Sequence, residues 1–528
     1  MSTGAGAGGR RHIVRQTGAT GLAAAGSVAS GLVLDVAIAA TLGAGATSDA
    51  FFAAATIPLG IVAIVMVAAN QALVPAIATW LTSREDRETR DLVAGVATWT
   101  AIGGFGLAIL IALLAGPIVR ITAPGFDDAT ADLAAGALRV MVFLAPLVML
   151  SEVLRAHLNA HQRVVAPAAM NVVLNAVAAI VIVAATRPDA RVIAAAYVAG
   201  GVAQLLYMSA MAARTGFRWR PTLMRGHPEI AATGRLMIRP MAGAGLNPLA
   251  RIGEQMFVSF LPAGSLTIMR YGYRLVSAVG GAVLFRSVMV TLLPRLTKAT
   301  AAGRTEQVRS LTSLGFRLMA VLSLCLAAVM AVLAEPGAIA LFLRGRFTAA
   351  DTALLGVTLA VYALSVPGSG LQRALLAPFY ARLDTKTPLR NTFYGVVANL
   401  ALIPVLLPLF GRTERAIIAV ALAYSLAQYV NVAHAWERMH RALAITIDRA
   451  ARTLATSLVA AAASAAVMLG MRAGLGLDDV QGRWSLLALI ALTGVVGVGV
   501  FAGITAWFAA PDIRRLKRGG ETPGAQTG

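Results

Sequence analysis

Fourteen stretches of this chain are apolar enough to lie in hydrocarbon, and that repetition limits the fold more than any other feature. They run roughly over 18–43, 50–78, 92–118, 131–154, 164–186, 191–213, 234–261, 265–294, 313–342, 353–380, 389–410, 415–436, 452–471 and 484–508. A bilayer-spanning helix needs about 20 such residues. Lipid offers no partner to backbone N–H and C=O groups, so each span must satisfy its own as a helix. Charged residues make up 13% of the chain, about half the share in a soluble domain. The expected class is an all-α polytopic membrane protein with fourteen transmembrane helices.

The net charge of +21 resembles a nucleic-acid signature, but most basic residues sit in short loops between apolar stretches. Orientation signals and anionic lipid contacts explain them better, so membrane lipids and no nucleic acid are expected as partners. Loops on the side of the N-terminus carry 28 Lys and Arg, and the opposite loops carry 9. This split places both termini in the cytoplasm, as an even number of spans requires. The basic N-terminal tail leads into an apolar run that continues to about Leu42 and contains Asp35, which reads as an uncleaved first span. The only cysteine, Cys325, leaves no disulfide framework and no Cys-based metal site within one chain.

The longest basic loop, RTGFRWRPTLMRGHPEIAATGR (214–235), divides the first six spans from the next six. The organisation that fits is a duplicated transporter with two further spans. Its parts are a tail over 1–17, an N-lobe over 18–213, a linker over 214–233 and a C-lobe over 234–440. A helix pair over 441–510 and a disordered tail over 511–528 complete it.

Ionisable residues inside spans face a cavity or one another. The run IMRYGYRLV (268–276) places Arg270 and Arg274 on one helix face, although a charge at the bilayer centre costs about 2.5–3.5 kcal/mol on insertion scales. Arg286 lies about 120° around the same helix from Arg274, and Arg373 adds a guanidinium from the tenth span. Guanidinium suits bidentate phosphate contacts. One reading is a cavity that receives a phosphate or diphosphate; the other is pairing with Glu254 or another carboxylate. Arg251 and Glu254 are three apart and share a face, either as a neutralised pair or with Glu254 as a cation or proton site. Asp35 is a further intramembrane candidate.

Nothing points to enzyme chemistry. The histidines (12, 157, 161, 227, 434 and 440) lie in tails, in loops or at span ends. His157 and His161 have the spacing of a helical metal pair but no third ligand nearby. A Walker A motif is absent, so ATP does not drive the protein directly. The Gly499–Gly503 spacing reads as a packing seam.

The runs TLGAGATSDAFFAA (41–54), LNAHQRVVAPA (158–168), YGYRLVSAVGGAV (271–283), LLPRLTK (292–298), LFLRGRFTAADT (341–352) and PFYARLDTKTPLR (378–390) resemble the MurJ/MviN family of lipid II flippases, within the MOP exporter superfamily. The resemblance covers about 40–440. It implies two six-helix lobes facing each other as a V, a final helix pair that holds a polyprenyl tail, and alternating access with the head group in a cationic cavity. Arg274 falls on the family's cavity arginine, Asp49 on the acidic residue of its DAFF motif, and Arg373 where a lysine is common. Some members bind sodium through an acidic residue in helix 7 and polar residues in helices 11 and 12. Glu254, Asn399 and Ser425 match that pattern, while its second acidic residue would fall near Ile403. No cofactor is implied beyond sodium or proton coupling.

This sequence departs from the family in the first lobe. Leu34 stands where an essential arginine is expected in helix 1, and helix 2 reads PLGIVAIVMVAA (58–69) with no charge. Charged hydrogen bonds are worth about 1.5–3 kcal/mol each, so Arg270, Arg286 or Arg251 would have to compensate. The resemblance implies a non-enzymatic flippase that moves a polyprenyl-diphosphate-linked peptidoglycan precursor across the bacterial plasma membrane for cell-wall synthesis. Two alternatives stand beside it: export of another lipid-linked saccharide or small molecule, and a non-transporting scaffold that recruits wall-synthesis enzymes.

Overall fold

The computed structural model describes residues 5–278, 280, 286–411, 413–478 and 482–518. Side chains are described between 20 and 508, those of Arg239, Arg286 and Ser287 excepted. Among the described residues the chain consists of helices and their connections, with a single isolated bridge between Arg344 and Phe347.

Helix α1 is Ala5–Leu42, so it begins within the stretch read as the N-terminal tail. It is followed by α2 (Ala46–Ser83), α3 (Asp86–Leu113), α4 (Asp128–Ala160), α5 (Val165–Ala184) and α6 (Ala190–Ala213). Then come α7a (Pro228–Ala244), α7b (Leu246–Val258), α8a (Ser265–Val276) and α8b (Arg286–Ala301). The remaining spans are α9 (Thr305–Val332), α10 (Ala349–Ala381), α11 (Lys386–Leu409), α12 (Glu414–Leu443), α13 (Ala450–Gly474) and α14 (Arg483–Phe508). The last helix continues to Arg518; the rest of the expected tail lies outside the described residues.

Twelve helices are long and apolar enough to cross a membrane among the described residues. The seventh predicted segment falls outside that number because it is divided into α7a and α7b, and part of the eighth, 279 and 281–285, lies outside the described residues. Pro240 in α7a has no N–H to return to the preceding turn, and Gly245 separates α7a from α7b. Large apolar side chains such as Leu22, Ile180, Val183, Leu206 and Trp507 stand exposed on the helices, as lipid-facing residues do.

Local chemistry sets the helix ends. Asp127 accepts the Thr130 N–H at 3.0 Å and so starts α4. Asp189 accepts the Val192 N–H at 2.8 Å at the start of α6. Within α2 a wider turn spans Ala69–Leu73, just before Pro75, which lacks the N–H a regular turn would use.

The chain forms two compact units. The first runs to Arg270 and takes in Phe342–Thr348 and Gly411–Ile417; the second holds Tyr271–Leu341, Ala349–Phe410 and the chain from Ile418. In the first unit α1 and α6 pack on α5, and α2 packs on α4 and α7a. Gly200 of α6 lies so close to α5 that an added Cβ would sit 2.5 Å from the Leu174 carbonyl oxygen. The core of this unit includes Ile77, Trp80, Leu92, Leu154, Met208 and Phe217. In the second unit α9 packs on α10 and α13, and α13 on α14. The Ser464 hydroxyl donates to the Gly497 carbonyl at 2.7 Å across the α13–α14 seam. Arg472 ties α13 to Glu335 at 2.5 Å and to Asp478 at 2.9 Å.

Candidate functional site

The helix that carries IMRYGYRLV is positioned from its N-terminus. Asp49, in the first turn of α2, is 4% exposed. Its carboxylate accepts the Gly264 N–H at 2.8 Å, the Thr267 N–H at 2.8 Å and the Thr267 hydroxyl at 2.6 Å. The first N–H groups of a helix have no partner within it, and the end is electropositive. Asp49 therefore serves as the cap of α8a, supplied from a helix more than 200 residues earlier. Gly264 has φ +94°, and an added Cβ would lie 2.9 Å from the Ala44 carbonyl, so glycine alone fits the turn.

One turn further, Arg270 is half-buried. Its guanidinium donates to the Thr56 hydroxyl of α2 and to Gln255 Oε1 of α7b, the latter at 3.3 Å. Thr56 donates to the same Gln255 oxygen at 2.5 Å, and Gln255 Nε2 donates to the Thr122 carbonyl at 3.3 Å. These partners are neutral oxygens that orient the guanidinium.

Arg251 and Glu254 form an ion pair on α7b, Nη1 to Oε2 at 2.9 Å, with the Glu254 side chain 2% exposed. A second pair, on α4, has the same spacing: Arg155 Nε donates to Glu152 Oε2 at 2.6 Å, and Arg155 Nη1 reaches Asn70 Oδ1 of α2 at 2.7 Å. Glu152 is 1% exposed. Glu152 borders a cavity of about 150 Å³ that Val65, Ala69, Val96, Thr100 and Met241 also line. Sequence reasoning missed this site because it assigned Arg155 to the loop after span 4. The Glu-x-x-Arg spacing was the available signal, the mirror of Arg251 and Glu254.

In the second unit Arg274 is exposed on the half of α8a that begins at Tyr271. Its neighbour Tyr273 packs edge-on against Tyr424 of α12 at 5.5 Å and against Tyr362 of α10 at 6.5 Å between ring centroids. Gly272 lets Tyr362 approach, since an added Cβ would lie 3.0 Å from that ring. These aromatic contacts fix the turn from which Arg274 projects. Arg373 is exposed on α10. Asn399 is buried on α11, and the Ser425 hydroxyl donates to the Val361 carbonyl at 2.8 Å, which ties α12 to α10. Nearby, Asn391 is a polar hub that sequence reasoning did not single out. It accepts from Gln372 Nε2 at 2.5 Å and donates to the Asn431 carbonyl at 2.7 Å. Asp35 is buried on α1. The side chain of Arg286 lies outside the described residues.

At the end of α2, Trp80 Nε1 and Arg84 donate to the Glu229 carboxylate at 3.2 and 2.9 Å, which joins α2 to the start of α7a ahead of the predicted seventh span. The Trp80 hydrogen bond, then that of Arg84, holds Glu229 below its ordinary pKa of 4.5. A depressed carboxylate contributes fully above its unfolded value and is lost as pH falls through the folded one. His227 Nδ1 accepts the Glu229 N–H at 3.3 Å and caps α7a, so the test is made in a His227→Asn background, which keeps an acceptor that does not titrate. There, hydrogen exchange over 224–235, corrected for intrinsic rates, should stay flat from about pH 8 to 5.5 and be faster across that whole range on adding Glu229→Gln. A rise between pH 7 and 6 in that background would contradict this assignment.

Twelve helices long and apolar enough to cross a membrane among the described residues, with guanidinium groups held at helix junctions, define a polytopic membrane protein. The fold matches a solved structure described as "Lipid II flippase MurJ, inward closed conformation", with a TM-score of 0.75 at 17% identity over 94% of this chain and 99% of that one. It also matches an inward-facing multidrug resistance MATE family transporter of the MOP superfamily, with a TM-score of 0.59 at 14% identity over 79% and 96%. A sequence from Vibrio cholerae described as "Probable lipid II flippase MurJ" is 26% identical over 89% of this chain and 91% of its own length. One of the same description from Rhizobium tropici is 27% identical over 94% and 93%. The family model described as "Lipid II flippase MurJ" matches residues 38–491, and the chain belongs to that family.

Proposed function

We propose that this protein moves lipid II, a polyprenyl-diphosphate-linked peptidoglycan precursor, from the cytoplasmic to the outer leaflet of the bacterial plasma membrane. Family membership across 38–491 supports the cargo class. The observation that carries the reading is the fate of α2. That helix has no basic residue inside the span, yet its Thr56 and Asn70 hold Arg270 and Arg155 from neighbouring helices. Cationic groups thus stay attached to the first unit although its own expected arginines are missing. Arg274 and Arg270 are the residues assigned to the diphosphate, with Arg373 and Arg286 in support. The lobes over 18–213 and 234–440 would rock in alternating access, and α13 and α14 would hold the polyprenyl tail.

The loop asymmetry of 28 against 9 basic residues supports cytoplasmic termini. An inside-negative potential then favours outward movement of an anion by about 2.3 kcal/mol per charge per 100 mV. Glu254, Asn399 and Ser425 are the residues through which sodium or a proton would couple, with Glu254 already engaged by Arg251.

Export of a different lipid-linked saccharide is favoured by one observation: Leu34, at the expected helix 1 arginine, is fully buried in apolar packing. A bacterium depleted of its own lipid II flippase separates the two. Wild type should restore lipid II on the outer leaflet, and Arg274→Ala should restore at least about tenfold less, the loss of one charged contact. Failure of correctly inserted wild type would reject lipid II and leave the other cargo. Growth supported by transport-dead variants would instead identify a scaffold.

A further inference from the structure

A polar pocket of about 220 Å³ lies in the first unit, away from the residues assigned to cargo. Leu81 of α2, Asp86 and Arg90 of α3, His157 near the end of α4, His161 just after it and Thr215 after α6 line it. Its histidines are in a defined chemical state. His157 is 1% exposed, and its Nε2 lies 3.0 Å from the Thr215 hydroxyl oxygen. That hydroxyl gives its hydrogen to the Ala212 carbonyl at 2.7 Å. Nε2 must therefore carry the ring proton, which leaves Nδ1 as a bare lone pair. Among the described residues no donor reaches that buried Nδ1. His161 Nδ1 lies 2.9 Å from the His157 carbonyl, which fixes its proton there and leaves its Nε2 an acceptor as well. The Arg90 guanidinium, half-buried beside them, makes no hydrogen bond or ion pair among the described residues.

A pocket with one cation and two bare acceptors selects for a ligand that is anionic and also has a hydrogen to give. Leaving a buried acceptor unmatched is costly, so the hydrogen matters as much as the charge. A phosphomonoester meets both needs, because its second pKa is about 6 and a P–OH persists near neutrality. Sulfate and phosphodiesters carry charge but no such hydrogen. A metal cation would find the imidazole lone pairs but would be repelled by Arg90. The exposed carboxylate of Asp86 disfavours a full dianion, which again selects the protonated form.

We infer that this pocket, formed by Arg90, His157, His161 and Thr215, binds a monoprotonated phosphate or phosphomonoester, either free or as a lipid head group. The test uses the full chain in nanodiscs of phosphatidylcholine, titrated calorimetrically with inorganic phosphate and with sulfate at pH 7 and matched ionic strength. Saturable phosphate binding, with sulfate at least tenfold weaker, is expected. Arg90→Gln should weaken phosphate at least tenfold with an unchanged thermal midpoint. His161→Leu should do the same, which guards against a folding defect in either variant alone. Nanodiscs containing phosphatidic acid separate the sources. If they abolish the phosphate titration while phosphatidylglycerol does not, the occupant is a lipid phosphomonoester; if phosphate still titrates, it is soluble. Equal responses to phosphate and sulfate, no effect of Arg90→Gln and His161→Leu, or no binding in neutral discs together with no thermal shift from phosphatidic acid would each overturn the site.

Discussion

Arg155→Met is expected to destabilise the first unit by about 3–5 kcal/mol, and adding Glu152→Leu to it is expected to recover most of that loss. Glu152 is 1% exposed, and its named partner is Arg155. Removing the guanidinium leaves a carboxylate in a low-dielectric interior with no counter-charge, so the cost is the stranded ion rather than the lost attraction. Replacing both members by apolar residues of similar volume removes the stranded charge, and Leu at 152 extends the apolar wall of the adjoining cavity. Asn70 loses its Arg155 donor in both variants, so that term cancels from the comparison. Thermal unfolding in detergent and a denaturant series on the two single variants and the double variant give the coupling. Equal midpoints for Arg155→Met and the double variant would mean that the pair does not neutralise itself. The double variant also separates stability from transport. If it folds and still exposes lipid II, the pair is architecture; if it folds but does not, Arg155 serves the cargo.

Where a span is a long apolar run, its existence could be read directly, because lipid leaves a 20-residue segment few choices beyond a helix. Twelve of the expected spans appear as such helices. The seventh, also expected as one span, is cut at Gly245, five residues after Pro240, whose ring lacks the N–H of a regular turn. Long-range partnerships were invisible for a different reason. Asp49 could be recognised as acidic in a motif, but nothing in the chain around it says that its acceptors serve Gly264 and Thr267. Arg155 was lost at a boundary: the run RAHLNAHQR after Leu154 reads as loop, whereas α4 continues as a helix to Ala160 and its polar face turns into the first unit. His157 was read as an interfacial residue, yet it is buried against Phe217 and His161, with ring centroids at 4.9 and 4.3 Å. Part of its cover comes from the 214–217 turn, through Thr215 and Phe217, and that contact has no local signature.

Asp49→Ala should cost about 3–5 kcal/mol, because it strands two backbone N–H groups and a hydroxyl at about 1–3 kcal/mol each, with partial relief from Ser48. The Thr267 hydroxyl can turn to Ser48 Oγ, 2.9 Å away, but the N–H groups of Gly264 and Thr267 have no such alternative nearby. Asp49→Asn keeps the shape and one acceptor oxygen. Its amide nitrogen must then face one of the two N–H groups, donor against donor, so the variant should fall close to Ala rather than to wild type. Thr267→Val removes a single hydroxyl and leaves both backbone bonds to Asp49 in place, so its loss should be about 1 kcal/mol. The order wild type, Thr267→Val, Asp49→Asn, Asp49→Ala in thermal midpoint is the signature of a cap; an exposed or cargo-facing carboxylate would give no such order. The cap also reaches a cargo residue through α8a, since Arg270 stands one turn beyond Thr267 in the same unit. A loosened N-terminus lets the helix pivot, and a misplacement of about 1 Å at a binding group costs orders of magnitude in rate. Lipid II exposure should therefore fall in Asp49→Asn even at temperatures where the protein remains folded. If transport instead follows the folded fraction alone, Asp49 holds the helix in place without setting the position of Arg270.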